Sequence, residues 1–459
     1  MSIADVAIIG AGAVGCAMAR RFALEGASVV LLEKGSDLLS GASKGNSAIL
    51  HTGFDAPPGS VELSCMQAGY DEYLEIRESF NLPLLETGAM VVAWSEAERA
   101  ALDGIEAQAR TNGVHDVVRL TATEIREREP NLSPRAREAL LVPGEHVIDP
   151  WSPFLAYLLQ AKAHDAEISF STEVLSGAFD GSCWTLQTTK GVRKARTVIN
   201  CAGLYGDRLE IRLLGSASFQ IKPRKGQFVV FDKEAAKLLK TIVLPVPSER
   251  TKGVVLTRTA FGNVLVGPTA EEQDDRDRAT VQEDVLRDLL AKAEDMVPAL
   301  ATVDVTAVYA GLRPATEQKS YRISTYGDRN WITVGGIRST GLTASLGIAR
   351  HVFKLYEGMG NRHTPIAFPH TPRVPNLAEH RPRDWQSSGY GEIVCHCEMV
   401  TLREIERALA DPLPAGDFGG LRRRTRCGMG RCQGFYCNAQ LALLTEGYFT
   451  APLAVGDAG

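Results

Sequence analysis

Cysteine is scarce over most of this 459-residue chain: there are 9 in all, and only four precede residue 395. An odd, thinly spread set excludes the disulfide framework of a small secreted domain. No apolar run approaches the roughly 20 residues of a membrane span. Charge of neither sign is in large excess, and a net charge of -5 argues against a general nucleic-acid binder. The basic stretch, apolar stretch and cleavage site of a secretory signal are also missing, because "DVAIIGAG" starts folding at once. A cytoplasmic protein is expected, with attachment to a membrane through a partner left open. The length exceeds one ordinary core, so two to four domains are expected.

What is present begins at residue 5. "DVAIIGAGAVGCAMARRFALEGASVVLLEK" has a β-prone run at 6–9, then Gly10, Gly12 and Gly15 in G-x-G-x-x-G spacing. A helical pattern follows, Gly26 ends it, and "SVVLLE" reads as a second parallel strand closing on Glu33. Gly10 permits the tight turn. Gly12 lets a pyrophosphate reach the backbone, and Gly15 lets the helix pack on the strand. Glu33 can accept from ribose hydroxyls. A lone glycine fingerprint is weak; strand, helix and acidic residue together point to a dinucleotide.

Residues 40–60, "SGASKGNSAILHTGFDAPPGS", insert a polar loop where a simple nicotinamide half would run to its next helix. Ser43, Lys44, Asn46 and Ser47 suit an extended ligand. No second strand–GxGxxG–helix unit exists, so one dinucleotide must do the redox chemistry itself, as FAD can. Further on stand "TVINCAGLYGDRL" (197–209), "KPRKGQFVVFD" (222–232), "YAGLRPAT" (309–316) and "VGGIRSTGLTASLGIARHV" (334–352). In the last, Ser339 or Thr340 is a natural helix N-cap. "KGQFVVFD" and "GNVLVGPTA" read as strands, and "ATVQEDVLRDLLAKAEDMVP" as a helix. The run "EEQDDRDR" (271–278) reads as a solvated loop. Cys16, Cys65, Cys183 and Cys201 sit among apolar neighbours and read as buried packing residues.

Over residues 3–357 these motifs, in this order, resemble the D-amino-acid-oxidase-like FAD oxidoreductases. The branch with glycerol-3-phosphate and L-2-hydroxyglutarate dehydrogenases is the most similar. The resemblance implies an α/β fold: a Rossmann-type FAD-binding domain from about 1–80, 147–215 and 305–365, interleaved with an α+β substrate domain from 81–146 and 216–304. It implies cofactor contacts from Gly10, Gly12, Ala13, Gly15, Glu33 and Lys34, from Ser43, Asn46 and Ser47, and from Ala202 and Gly203. It adds Gly336, Arg338, Thr340, Gly341, Leu342 and Thr343 around a helix N-terminus facing the flavin. His51 falls where related enzymes keep a histidine beside the substrate, which makes it the candidate base. Arg313 matches a position that contacts a substrate carboxylate or phosphate. Arg224 and Lys225 are weaker candidates for the same work. The plainer reading of each is a structural histidine or a solvated charge.

Residues 363–390 hold five prolines and no helix or strand period, and read as an extended linker, with 366–390 separating two modules. Beyond it Thr401 and Glu404 form a capping-box pattern. Five of the cysteines crowd into 395–437. Cys395, Cys397, Cys427 and Cys432 give C-x-C, 29 residues, C-x4-C, while Cys437 lies past the pattern. Four thiolates suit zinc or an iron–sulfur cluster, and C-x-C argues mildly against zinc. Residues 391–459 resemble the bacterioferritin-associated-ferredoxin type of [2Fe-2S] domain, found fused to flavoproteins. Arg422, Arg423, Arg424, Arg426 and Arg431 stand around these thiols, to offset cluster charge, to dock an acidic partner, or as a solvated face.

Hydride uptake by FAD and one-electron uptake by a [2Fe-2S] cluster fit a dehydrogenase feeding another redox protein or a quinone-linked acceptor, with further subunits admitted. The expected substrate is a small anionic alcohol, a 2-hydroxy acid or a polyol phosphate. An amine or imino-acid dehydrogenase of the opine or hydroxyproline type is the alternative. A subunit that only transfers electrons is the third.

Overall fold

The turn after the first strand sets the architecture. In the computed structural model, which describes residues 3–247 and 253–453, Ile3–Ile9 is a strand, Ala13–Leu24 a helix and Val29–Leu32 the next strand. The two strands pair in parallel from Val6↔Val29 to Ile9↔Leu32. Gly10 takes φ +108°, and a Cβ there would lie 2.5 Å from the Cys201 carbonyl oxygen. A Cβ on Gly15 would overlap the Gly10 carbonyl, so helix and strand meet as closely as backbone allows.

These strands belong to an eight-stranded sheet that also takes in Glu167–Ser169, Val174–Phe179, Trp184–Thr188, Gly191–Asn200, Arg322–Tyr326 and Trp331–Gly335. Helices Ala13–Leu24, Val61–Phe80, Ser152–Ala163 and Gly341–Gly358 cover one face and share its core. Gly69 and Gly347 have no room for a Cβ where Val61–Phe80 crosses Gly341–Gly358. That contact fixes where the last helix begins.

A second, nine-stranded sheet is built from Ala89–Ala93, Val118–Thr121, Glu138–Val142, Arg224–Phe231, Ile242–Pro245, Val255–Arg258, Val264–Gly267, Glu271–Glu272 and Val305–Arg313. Val305–Arg313 pairs antiparallel along the whole of Arg224–Phe231. It therefore belongs with this second sheet, and the chain returns to the first sheet only after Arg313, not at the expected 305. Helix Glu283–Met296 covers this sheet through Leu289 and Ala293. A small third sheet, Ile49–Leu50, His146–Ile148 and Leu84–Glu86, ties the polar loop of the first domain to the second.

The tail packs Val394, Ile405, Leu421, Cys427 and Leu441 into a core of its own. Thr401 caps helix Leu402–Ala410, with the reciprocal Glu404 bond in place. Residues 366–390 run without long helix or strand, apart from a short 3-10 turn at Asp384–Gln386, and they are not a loose linker. Val374, Leu377 and Ala378 are buried, and Val374 N–H donates to Phe80 O at 3.0 Å. Apolar side chains between the prolines find grooves on the body. Cys16, Cys65, Cys183 and Cys201 are buried free thiols. Among the described residues no helix is long and apolar enough to cross a membrane.

Candidate active site and cysteine cluster

A cavity of about 950 Å³ opens where the two sheets face each other. Gly10, Gly12, Ala13, Glu33, Lys34, Ser43, Asn46 and Ser47 line one end. Ser43 Oγ accepts from Ala13 N–H at 3.0 Å, and a Cβ on Gly12 would press on that oxygen at 3.2 Å. Glu33 accepts from Ala11 N–H at 2.6 Å and Gly35 N–H at 2.7 Å, which holds its carboxylate at the strand end. Ala202 and Gly203 complete this wall. Glu173 and Val174 join them, and nothing in their local sequence announces it. The glycine turn, the carboxylate and the length of the cavity fit an extended dinucleotide. Gly15 stays outside the lining, in the packing role argued for it.

Gly336, Arg338, Thr340, Gly341 and Leu342 line the far end. Thr340 precedes the helix, yet its hydroxyl does not cap it. It donates to Glu62 Oε1 at 3.0 Å and meets Tyr321 Oη at 2.5 Å. Buried Glu62, a whole fold away in sequence, outcompetes the helix for that hydroxyl. Among the described residues no side chain caps this helix, so its first-turn amides are left without a cap. Thr343 lies behind the lining and accepts from His51 N–H at 3.0 Å.

His51 lines the cavity. Its Nδ1 is 2.7 Å from Glu145 Oε2, and Glu145 is fully buried. Glu145 Oε1 accepts from Thr52 N–H at 2.6 Å and Thr52 Oγ at 2.8 Å. Sequence reasoning missed Glu145: it is a lone carboxylate in a turn, brought here by the third sheet. Tyr309 Oη donates to Asn46 O at 2.9 Å and its ring stacks on Phe228, which steadies the polar loop against the second sheet.

Three guanidiniums reach the same wall. Arg224, Arg313 and Arg338 all line the cavity. Arg313 donates to Thr269 O at 2.5 Å, and burial, then Arg224 and Arg338, push its pKa down to about 10. Arg338 Nε is buried without a hydrogen-bond partner among the described residues. Lys225 is not part of this group. Strand alternation turns it to the other face, where it pairs with Glu271 at 3.0 Å. The acidic run is not simply solvated either: Arg276 is half-buried against Asp207, with Nη2 to Oδ2 at 2.8 Å.

In the tail, Cys395 and Cys427 are buried while Cys397 and Cys432 are half-exposed. Cys397 and Cys432 are hydrogen-bonded to each other, and Cys395 adds to the field on Cys397. Gly428 N–H points at Cys395 Sγ, 3.5 Å away. Gly430 leaves room for Cys397 that any side chain would fill. Among the described residues no three ligands are drawn around a single-ion site. Thiols linked through Cys395, which is in reach of both Cys427 and the Cys397–Cys432 pair, on glycine-rich backbone, fit a group larger than one ion, such as a [2Fe-2S] cluster. Cys437, outside the expected set, is also buried and hydrogen-bonds Cys395.

All five arginines bind the chain's own body or tail. Arg424 makes a bidentate pair with fully buried Asp37, Nη2 to Oδ1 at 2.9 Å. Arg423 donates to Leu38 O at 3.0 Å, Arg431 to Asp232 at 2.9 Å, and Arg426 to Glu398 at 2.8 Å. Arg422 donates to Gly428 O at 2.9 Å and faces Cys427, Cys437 and Cys395, which raise its proton affinity against the larger effect of burial; Arg431, held by Asp232, also has Cys397 in reach.

Residues 5–355 match the family described as "FAD dependent oxidoreductase", and residues 393–445 match the "BFD-like [2Fe-2S] binding domain". A glycerol 3-phosphate dehydrogenase of Caloramator mitchellensis is 31% identical over 95% of this chain and 92% of its own. A glycerol 3-phosphate oxidase of Mycoplasma pneumoniae is 30% identical over 77% of this chain and 95% of its own. The dithionite-reduced, FAD-bound L-alpha-glycerophosphate oxidase of that organism superposes with a TM-score of 0.75 at 26% identity, covering 82% of this chain and 100% of its own.

Proposed function

Because the chain belongs to the FAD-dependent oxidoreductase family and carries a [2Fe-2S]-binding domain, we propose that it is a dehydrogenase for a small polyol phosphate of the glycerol 3-phosphate kind. Its electrons would leave through the tail to a redox partner or quinone-linked acceptor. The observation that carries the substrate class is the convergence of Arg224, Arg313 and Arg338 on one cavity wall. Arg224 and Arg338 add to burial in lowering the proton affinity of Arg313, and a wall that carries three guanidiniums suits a doubly charged anion. The named dehydrogenase and oxidase relatives support the same class.

When bound, FAD supplies the hydride acceptor; Gly12, Ala13, Glu33 and Ser43 are placed to hold its nucleotide half. The rest falls to the chain. Arg313 and Arg338 anchor the anion. His51 takes the hydroxyl proton, with Glu145 holding its ring. The uncapped first turn of Gly341–Gly358 offers amides to negative charge that builds during oxidation.

Anaerobic glycerol 3-phosphate is expected to bleach the flavin, while glycerol, L-2-hydroxyglutarate and L-proline do not. Bleaching by a hydroxy acid or an amino acid alone would remove the phosphate class. Arg313 adds a pH test. Its pKa of about 10 lies below its ordinary value, so the charge that holds the anion is complete below pH 10 and lost above it. The KM for the anion is expected to stay level up to that pH and then rise about tenfold per pH unit. A flat KM through pH 11 would separate Arg313 from substrate binding.

A further inference from the structure

We propose that Trp151 and Phe261 form the packed bridge along which electrons pass from the flavin cavity to the cysteine cluster, and that Arg426 is its far end. The proposal rests on the reading that electrons leave through the tail. Trp151 Nε1 donates to the carbonyl of Lys44, a residue of the cavity wall, at 3.2 Å. The Trp151 ring stacks on Phe261 with centroids 5.3 Å apart and planes 17° from parallel. The Arg426 guanidinium lies over the Phe261 ring, 4.0 Å from its centroid. Arg426 is bonded to Cys427, and its ion pair to Glu398 reaches the residue bonded to Cys397. The path therefore starts at the cofactor loop and ends beside two of the four thiols.

Phe261 and Arg426 are buried, and Trp151 is half-buried at the cavity side. Phe261 packs in one core with Ala48, Ile49, Leu377 and Ala378, and Ile49 also lines the cavity. Asp149 is fully buried, accepts from Trp151 N–H at 2.8 Å, and carries its charge toward Arg426. Glu398 and one aromatic face thus fix the guanidinium. Two other ties of the tail to the body run elsewhere. Arg424 reaches Asp37 on the loop after the second strand, and Arg431 reaches Asp232 at the edge of the substrate domain. Neither passes through aromatic rings.

Electron tunnelling weakens steeply at every gap between groups, so a continuous packed path is favoured over one of equal length through solvent. Neither ring changes its own oxidation state. Two transits empty a cofactor that accepted one hydride. Each delivers one electron to the cluster, and an external one-electron oxidant removes it; the proton goes to water.

The test uses the full-length protein with both cofactors, mixed anaerobically with glycerol 3-phosphate. Flavin bleaching is followed by absorbance and cluster reduction by freeze-quench EPR. Phe261→Leu should bleach at the wild-type rate and reduce its cluster at least an order of magnitude more slowly. Phe261→Tyr, which keeps the ring, and Arg431→Gln, which loosens a different tie, should match wild type in both. Iron and sulfide content and the dithionite-reduced EPR spectrum should be the same in all four. Cluster reduction at the wild-type rate in Phe261→Leu overturns the bridge alone. Slowing in Arg431→Gln to the same extent would assign the effect to loosened docking and also overturn it. A wild-type cluster that substrate never reduces removes the bridge together with the reading it rests on.

Discussion

Replacing His51 with glutamine is expected to slow substrate-driven flavin bleaching by about 10²- to 10⁴-fold, the usual contribution of a positioned base. Glutamine keeps a polar group of similar reach but cannot take up the hydroxyl proton. The flavin spectrum and substrate affinity should change little, because the nucleotide end of the cavity and the arginine wall are built from other residues. The placement of Glu145 sharpens the test. Fully buried and bonded to Thr52 twice, it can hold His51 Nδ1 only in the observed direction. Glu145→Gln keeps the shape and removes the charge that faces the ring when it is protonated. It should give a smaller loss with an altered pH profile. Single-turnover bleaching across pH reads both variants. His51→Gln bleaching at the wild-type rate would move the proton transfer to another group.

Asp37→Asn is expected to cost about 3–5 kcal/mol, the range for removing one partner of a buried ion pair. Arg424 would be left buried against a neutral amide. Gly420, which has no room for a Cβ beside the Asp37 carboxylate, shows how closely helix Phe418–Thr425 is seated there. The loss should fall on the seating of the tail. Thermal unfolding would show an early transition for the tail, and residues 366–390 would become open to protease. The double variant Asp37→Leu with Arg424→Leu should recover most of the loss, since the expense lies in the stranded charge. If Asp37→Asn melts like wild type, the pair does not hold the tail.

The two predictions draw on parts of the chain that differed in legibility. The glycine turn, its strands and Glu33 could be read from some thirty consecutive residues, because the contacts that define them are local. The strand and helix of the substrate domain at 224–231 and 283–296 were also visible in pattern. Where reading failed, distant residues decided. Thr340 looked like a cap until Glu62 claimed its hydroxyl. Lys225 looked like a partner of Arg224 until the strand turned it away to Glu271. Glu145 had no local pattern at all. Val305–Arg313 follows its hydrogen-bonding partner into the second sheet, and no sequence period could announce that. The arginines near the thiols advertised their charge, but not that Asp37, Asp232 and Glu398 would absorb it.

The seated strap has a consequence for how this protein can be rebuilt. Ile366, Val374 and Glu379 donate backbone hydrogen bonds into the body, and Arg383 is buried beyond them. The tail is thus a fixture, not a tether. Its thiols stand at one set distance from the cavity, so passage between them is independent of how often two mobile parts collide. A graft that moves residues 391–459 onto another flavoprotein would carry the thiols and leave behind the grooves that measure that distance.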